Sequence, residues 1–299
     1  MDTEAESVTD AASPNDDAQP EPEHEQPEAP DEQPAALDGR QDAPQEGDIA
    51  LRISGLTKQF GSRKAVDDVS YTVARGSFAS IVGPNGAGKT TTLSMITGLL
   101  PPTRGRIEVL DIDVWKNRSA AQSRIGSLPD RLRMFEQLTG AQYLAYVGAI
   151  RGLGSEQVRE RVESLLDTFG LRDHSNRLVV DYSSGLRKKV GLAAALIHNP
   201  ELLVLDEPLD AIDPVSAGTI IEVLEQFTSR GGTVLLSSHS MDFVQRVCDH
   251  VAVLVDGQLI ADGTVDEVRG ELTLEERFRH IVRGPEETEG LDWLDISFG

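Results

Sequence analysis

The chain has 299 residues, 39% of them hydrophobic and only 5% aromatic, with a formal net charge of −22, enough apolar material for one large or two modest domains with a buried core. Its single cysteine, Cys248, excludes an internal disulfide framework and a cysteine-based zinc cluster, and a buried reduced thiol is expected there. The acidic balance argues against non-specific nucleic-acid binding, since phosphate contacts need clustered Lys and Arg.

The charge is unevenly placed. Residues 1–49 carry 16 Asp and Glu against Arg40 alone, with no aromatic residue and nearly half of the 15 prolines. Such a stretch cannot bury enough apolar surface to offset the entropy of ordering, so residues 1–48 are expected to form a disordered acidic tail. It has neither the basic start and apolar run of a secretory signal nor the acid-poor composition of a transit peptide. No stretch approaches 18 consecutive apolar residues, so any membrane role is expected to come through a partner.

Ordered sequence is expected from Ile49, where short β-branched runs alternate with turn residues at Gly55, Gly61 and Gly76. "SFASIVG" then reads as a buried strand, "PNGAG" as a glycine-rich loop, and "KTTTLSMITGLL" as a helix ended by Gly98 and Pro101. From residue 128 to 198 the apolar spacing is mostly helical, as in "GAQYLAYVGAIRGL" and "SEQVRERVESLLDTFGL". "ELLVLDEP" and "GGTVLLSSH" are continuous apolar runs suited to parallel strands buried on both faces. "AGTIIEVLEQFTSRG" between them reads as a crossover helix. Asp256-Gly257 between alternating runs is a hairpin signal. In the closing "LTLEERFRHIV", Thr273 and Glu276 form a potential capping box, and Leu274, Phe278 and Ile281 share one face expected to dock on the chain's own fold.

Two motifs carry chemistry. "GPNGAGKTT" at residues 83–91 fits G-x-x-x-x-G-K-[ST] between a strand and a helix, with Gly83, Gly88, Lys89 and Thr90 at the defining places. Glycines let successive backbone N–H groups point at phosphate oxygens, the lysine reaches the outer phosphates, and the hydroxyl suits Mg2+. "LLVLDEP" places Asp206 and Glu207 at the carboxyl end of a buried strand, where open α/β sheets bind ligands. Asp206 is suited to hold Mg2+ through water, and Glu207 to orient and deprotonate an attacking water.

"GPNGAGKTT", then "YSSGLRKKV" just ahead of "LLVLDEP", then "AIDP", then "SSH" come in the order and at the spacing of one family. Over residues 49–270 the chain resembles the ATP-binding subunit of ABC transporters. "LPD", "QLTGAQYL" and "SSHSMDFVQRVCDHVAVLVDGQLIADG" bring it nearest the single-ATPase subunits of bacterial exporters and multidrug or natural-product efflux permeases. The resemblance implies an α/β fold, a P-loop NTPase core with a mostly parallel sheet, an N-terminal antiparallel β subdomain and an inserted α-helical subdomain at about residues 128–190. Residues 271–299 would be a C-terminal helix and tail.

The resemblance also implies roles. ATP would be bound by Gly83, Asn85, Gly86, Gly88, Lys89, Thr90 and Thr91, with Phe60 of "KQFG" stacking on adenine where Tyr is usual. Lys89, Glu207 and His239, the histidine that contacts the terminal phosphate, would be catalytic. Thr90, Asp130 and Asp206 would hold Mg2+. Asp213 of "AIDP" matches the loop that communicates across a dimer. Ser183 and Gly185, at the start of a helix whose positive end favours anions, would grip the γ-phosphate of ATP bound to a second ATP-binding subunit in a homo- or heterodimer. The other partner would be a transmembrane permease, docked around residues 134–150, which places the chain at the cytoplasmic face of the membrane. No nucleic-acid partner is expected.

Two places depart from the family. Asp130 stands where Gln usually ligates Mg2+, and the signature Leu-Ser-Gly-Gly-Gln reads "YSSGL", with Ser184 and Leu186 replacing a Gly and the Gln. Arg187, Lys188 and Lys189 after it read as a solvated helix face. A soluble ABC ATPase acting on DNA or ribosomes would favour two ATPase units, a coiled coil or a basic face, none of which is seen. A regulatory module with weak hydrolysis is encouraged by Asp130 and Leu186 and opposed by the intact Lys89, Asp206, Glu207 and His239.

Overall fold

The computed structural model describes residues 48–210 and 212–283. Apart from Asp48, the acidic tail expected at residues 1–48 lies outside the described residues, as do residues 284–299. Strands β1 (Ile49–Phe60) and β2 (Arg63–Ala74) form an antiparallel pair. The other edge of β1 pairs antiparallel with β4 (Arg104–Val109), and β4 in turn with β5 (Ile112–Asp113). Two strands that arrive after the glycine-rich loop thus complete the N-terminal β sheet. Gly55, expected as a turn, lies inside β1, where the register shifts between Ile53 and Leu56. A strand bonded along both edges is carried through such a bulge rather than reversed by it.

The second sheet has six strands in the order β10-β9-β3-β8-β7-β6. Strand β3 (Phe78–Val82), β6 (Ile125–Leu128), β7 (Leu202–Leu205), β8 (Thr233–Ser238) and β9 (His250–Val255) run parallel. Strand β10 (Gln258–Thr264) returns antiparallel from β9 through the Asp256-Gly257 turn. The continuous apolar runs follow from burial on both faces. Leu203 and Leu205 of β7 enter one core and Leu202 and Val204 the other, as the two-residue period of a strand requires.

Those two cores are the two sides of the sheet. One lies between it, helix α1 (Lys89–Ile96) and the antiparallel sheet, filled by residues such as Leu51, Ile53, Leu93, Met95 and Ile107. The short helix α2 (Arg118–Arg124) leads into β6. The other core is closed by α3 (Gly140–Ile150), α4 (Ser155–Thr168), α5 (Ser184–Leu196), α6 (Pro214–Ser229) and α7 (Met241–Val247). The first three of these lie in the chain between β6 and β7, where the mostly helical segment was expected, though residues 130–139 and 169–183 are largely turns and irregular chain. Thr139 caps α3 in a capping box: its hydroxyl accepts from Gln142 N, and Gln142 Oε1 accepts from Thr139 N.

The C-terminal helices α8 (Val265–Arg269) and α9 (Leu274–Arg283) close the fold. Thr273 and Glu276 make the expected capping box, Leu274 is buried, and Phe278 and Ile281 pack on the larger core. Cys248 is buried, and desolvation pushes its thiol far above the ordinary range, so it is held as the neutral thiol expected. No helix among the described residues is long and apolar enough to cross a membrane.

Candidate functional site

Four parallel strands end on the same side, and each delivers a candidate group. Residues 83–88 follow β3, Pro129 and Asp130 follow β6, Asp206 and Glu207 follow β7, and His239 follows β8. This is the carboxyl edge at which open α/β sheets bind ligands. Apart from Pro129 and Asp206, these groups border an open cleft of about 920 Å³, at the upper end of the range for small-molecule sites. Its walls include Phe60, Gly83, Asn85, Gly86, Gly88, Lys89, Thr90, Thr91, Asp130, Glu207 and His239.

The glycine-rich loop turns into α1 at Gly88, which sits at φ 104°, a left-handed conformation that costs any residue with a Cβ. No side chain caps α1, so its amino end offers backbone donors and a positive partial charge to the cleft. Lys89 is buried within the loop's curve. Its Nζ donates to Gly83 O at 2.7 Å and to Pro84 O at 3.4 Å, and lies 3.8 Å from Glu207 Oε1.

Asp206 and Glu207 are ordered by a residue that the motif reading passed over, Ser237 of β8. Its hydroxyl donates to the buried Asp206 Oδ1 at 2.6 Å and accepts from Glu207 N at 2.9 Å. Glu207 has φ 46° although it is not glycine, a conformation that costs about 1–2 kcal/mol. Its carbonyl accepts from Lys188 Nζ, and its Oε2 lies 2.9 Å from His239 Nδ1. His239 Nε2 is 3.9 Å from Asp210 Oδ1, so the imidazole stands between two carboxylates.

The candidate metal donors are less tightly grouped. Thr90 and Asp130 line both the cleft and an adjoining cavity of about 420 Å³, whereas Asp206 lines only the adjoining cavity. A hydroxyl and two carboxylates are the hard oxygen donors that Mg2+ prefers, so the residues present fit that ion. Among the described residues no three His, Cys, Asp or Glu side chains form a metal-holding cluster by themselves.

Ser183, Gly185 and Asp213 do not border this cleft. They lie together elsewhere. Ser183 is exposed and caps α5, its Oγ accepting from Leu186 N at 3.3 Å. Gly185 is buried against the start of α6, where an added Cβ would lie 3.4 Å from Asp213 Oδ2. Asp213 caps α6 by accepting from Ser216 N at 2.9 Å, and that backbone bond holds its carboxyl below the ordinary range. The cap was readable in "DPVS", a capping residue followed by Pro at the first helical position.

The basic run after Gly185 is not a solvated face. Arg187 donates to Tyr182 O, Val180 O and Glu136, Lys188 donates to Glu207 O, and Lys189 is buried. Consecutive residues turn by about 100° on a helix, so three in a row cannot all face water on a helix packed this deeply. Arg63, Asp210, Met241 and Phe278 also line the cleft and were not foreseen. Only Phe278 had a signal, the apolar stripe of α9.

A P-loop between strand and helix, with an Asp-Glu pair and a histidine at the neighbouring strand ends, defines a nucleotide-hydrolysing site. Comparison with known proteins gives the family. The family model for ABC transporters matches residues 66–210. The chain is 38% identical over 224 residues, covering 75% of it and 71% of the relative, to the daunorubicin resistance ATP-binding protein DrrA3 of Streptomyces coeruleorubidus. It is 39% identical over 223 residues, covering 73% of it and 91% of the relative, to the ABC transporter ATP-binding protein NatA of Bacillus subtilis. A solved ATP-binding subunit of an ABC transporter superposes with a TM-score of 0.73 at 27% identity, covering 78% of this chain and 99% of that one. The chain belongs to the ABC transporter family, as an ATP-binding, ATP-hydrolysing subunit that powers transport.

Proposed function

We propose that two such subunits, identical or different, close head to tail on two ATP molecules, each held between the cleft of one subunit and Ser183 and Gly185 of the other. The observation that supports this is the separation of two features suited to anions. The cleft is built around the P-loop, Glu207 and His239, while the exposed cap of α5 stands apart from it beside Asp213. Phe60 takes adenine, and the P-loop amides with Lys89 take the phosphates, the ammonium leaving the Gly83 and Pro84 carbonyls for the outer oxygens. Glu207 accepts a proton from the attacking water, and His239, held beside its carboxylate, meets the terminal phosphate. Thr90, Asp130 and Asp206 would hold Mg2+, which neutralises charge on the phosphate oxygens when bound.

Closure on ATP and opening after hydrolysis would then move a transmembrane permease. The docking surface falls on residues 134–150, where Phe135 (56% exposed) and Tyr146 (43%) stack edge to face at 5.0 Å and Ile150 is 65% exposed. Large apolar groups left together on a surface mark a partner's contact. That permease would hold the chain at the cytoplasmic face of the membrane. Export is favoured because the Streptomyces relative is named for drug resistance, and the permease would select the cargo.

The test is Glu207→Gln, which keeps the side chain's shape and removes its basicity. ATP binding should persist, hydrolysis should fall at least about a hundredfold, and size-exclusion chromatography with ATP should show a stable dimer. Undiminished hydrolysis would refute the assignment of the base, and a monomer with ATP bound would refute the sandwich.

A further inference from the structure

The chemistry above gives no role to Lys188. Lys188 lies on α5 five residues after Ser183, about 7.5 Å along the axis at the helical rise, and its ammonium donates to the backbone carbonyl of Glu207. Burial pushes its amine below the ordinary range, while Asp210, Asp130, Glu207 and Asp206 each pull the other way. The cation is therefore the common counter-charge of the acidic groups at the ends of β6 and β7. Neighbouring Arg187 is tied instead to Val180, Tyr182 and Glu136 within the helical segment.

Glu207 is a residue that must be held. Its left-handed backbone, φ 46°, persists only where the surroundings over-determine it. Beyond a bond within its own turn, from Asp210 N to its carbonyl at 3.2 Å, its backbone has two outside anchors: Ser237 of β8 fixes its amide and Lys188 of α5 its carbonyl. One anchor belongs to the sheet. The other belongs to a helix whose first turn, at Ser183 and Gly185, does not border this cleft. A displacement of α5 therefore shifts one anchor of the glutamate and not the other.

We infer that Lys188 is a positioning residue that transmits engagement of Ser183 and Gly185 with the partner subunit's nucleotide to Glu207 of its own cleft. The inference rests on the two-subunit reading above. Each site's base is then aligned only when the opposite site is filled, which couples the two hydrolysis events through one hydrogen bond.

The test uses the full chain, steady-state ATP hydrolysis and binding of a fluorescent ATP analogue. Lys188→Met keeps length and removes the charge, and Lys188→Arg restores a donor. Lys188→Met should lower kcat about tenfold and leave KM and analogue binding within about twofold, with Lys188→Arg recovering most of the rate. Ser183→Ala should also lower kcat. If Lys188 carries the signal, the double variant is no slower than the slower single one; if the two act independently, their effects multiply. A multiplicative double variant, an unchanged kcat in Lys188→Met, or loss of analogue binding in that variant overturns the inference. An unchanged kcat in Ser183→Ala overturns the two-subunit reading and the inference with it.

Discussion

Gly257 makes no wall of the nucleotide cleft, yet its replacement should weaken ATP binding. It follows Asp256 in the β9–β10 turn at φ 82°. Its N–H donates to Ala87 O of the P-loop at 3.0 Å, and its carbonyl accepts from Asp67 N of β2 at 2.8 Å. An added Cβ would lie 2.9 Å from Ala65 O and 3.1 Å from Ala65 C, backbone atoms that cannot rotate away. Gly257→Ala therefore costs about 1 kcal/mol for the left-handed conformation, and about 1 kcal/mol more as the turn backs away and the Ala87 bond lengthens. If half of that total falls on the loop's bound geometry, ATP affinity drops about fivefold. Gly231→Ala is the control: φ is 89° and nothing lies within 4 Å of its added Cβ, so it pays the backbone cost alone. Nucleotide titration and thermal unfolding of both variants decide the matter. Equal ATP affinity in the two would refute the claim that this hairpin braces the phosphate loop.

Phe60 is 51% exposed, with Lys58 Nζ 5.1 Å from its ring centroid, so Phe60→Leu should forfeit a base stack of about 0.5–1.5 kcal/mol. KM for ATP would rise roughly two- to tenfold while kcat holds and Phe60→Tyr behaves as wild type, and a selective fall in kcat would contradict the stacking role. His198 is pulled down from 6.5 to about 4, first by burial and then by Arg151 and Arg161, so the unfolded chain binds its proton first as pH falls. Stability is therefore lost between pH 6.5 and about 4, by about 3 kcal/mol at most and roughly half that for a ring only part-buried. Urea unfolding at pH 7.5 and 5 should show His198→Gln losing less stability on acidification than the wild type, and equal losses would refute it.

Much of this site was readable because its chemistry follows buried parallel strands, whose unbroken apolar runs end at "GPNGAGKTT", "LDEP" and "SSH". The readable groups are those that one segment carries alone. Ser237 is different: a hydroxyl in an apolar strand means little until β7 is laid beside β8 and presents Asp206 and the Glu207 amide to it. Strand β4 escaped for a local reason. Its Arg104, Arg106 and Glu108 alternate with Ile107 and Val109, a period-two pattern too short to stand out without β1 alongside. Gly55 misled for the opposite reason, since a glycine reads as a turn in sequence and as a bulge once both strand edges are paired.

The charge around the cleft explains why Lys188 and Asp130 belong in one account. Asp130, Asp206, Glu207 and Asp210 gather where β6 and β7 end, against Lys89, Lys188 and, on the cleft wall, Arg63. Gln at position 130 would leave these charges balanced, whereas Asp130 tips the site towards negative just where the phosphates of ATP must enter. In the proposed site a divalent cation arriving with the nucleotide would offset that excess, and loss of a lysine would deepen it. Lys188 thus has two consequences, one electrostatic and one geometric. Lys188→Met separates them when binding is measured apart from turnover: a dominant electrostatic loss would weaken nucleotide binding and overturn the positioning role, whereas a misplaced Glu207 slows only the attack of water, the expected outcome.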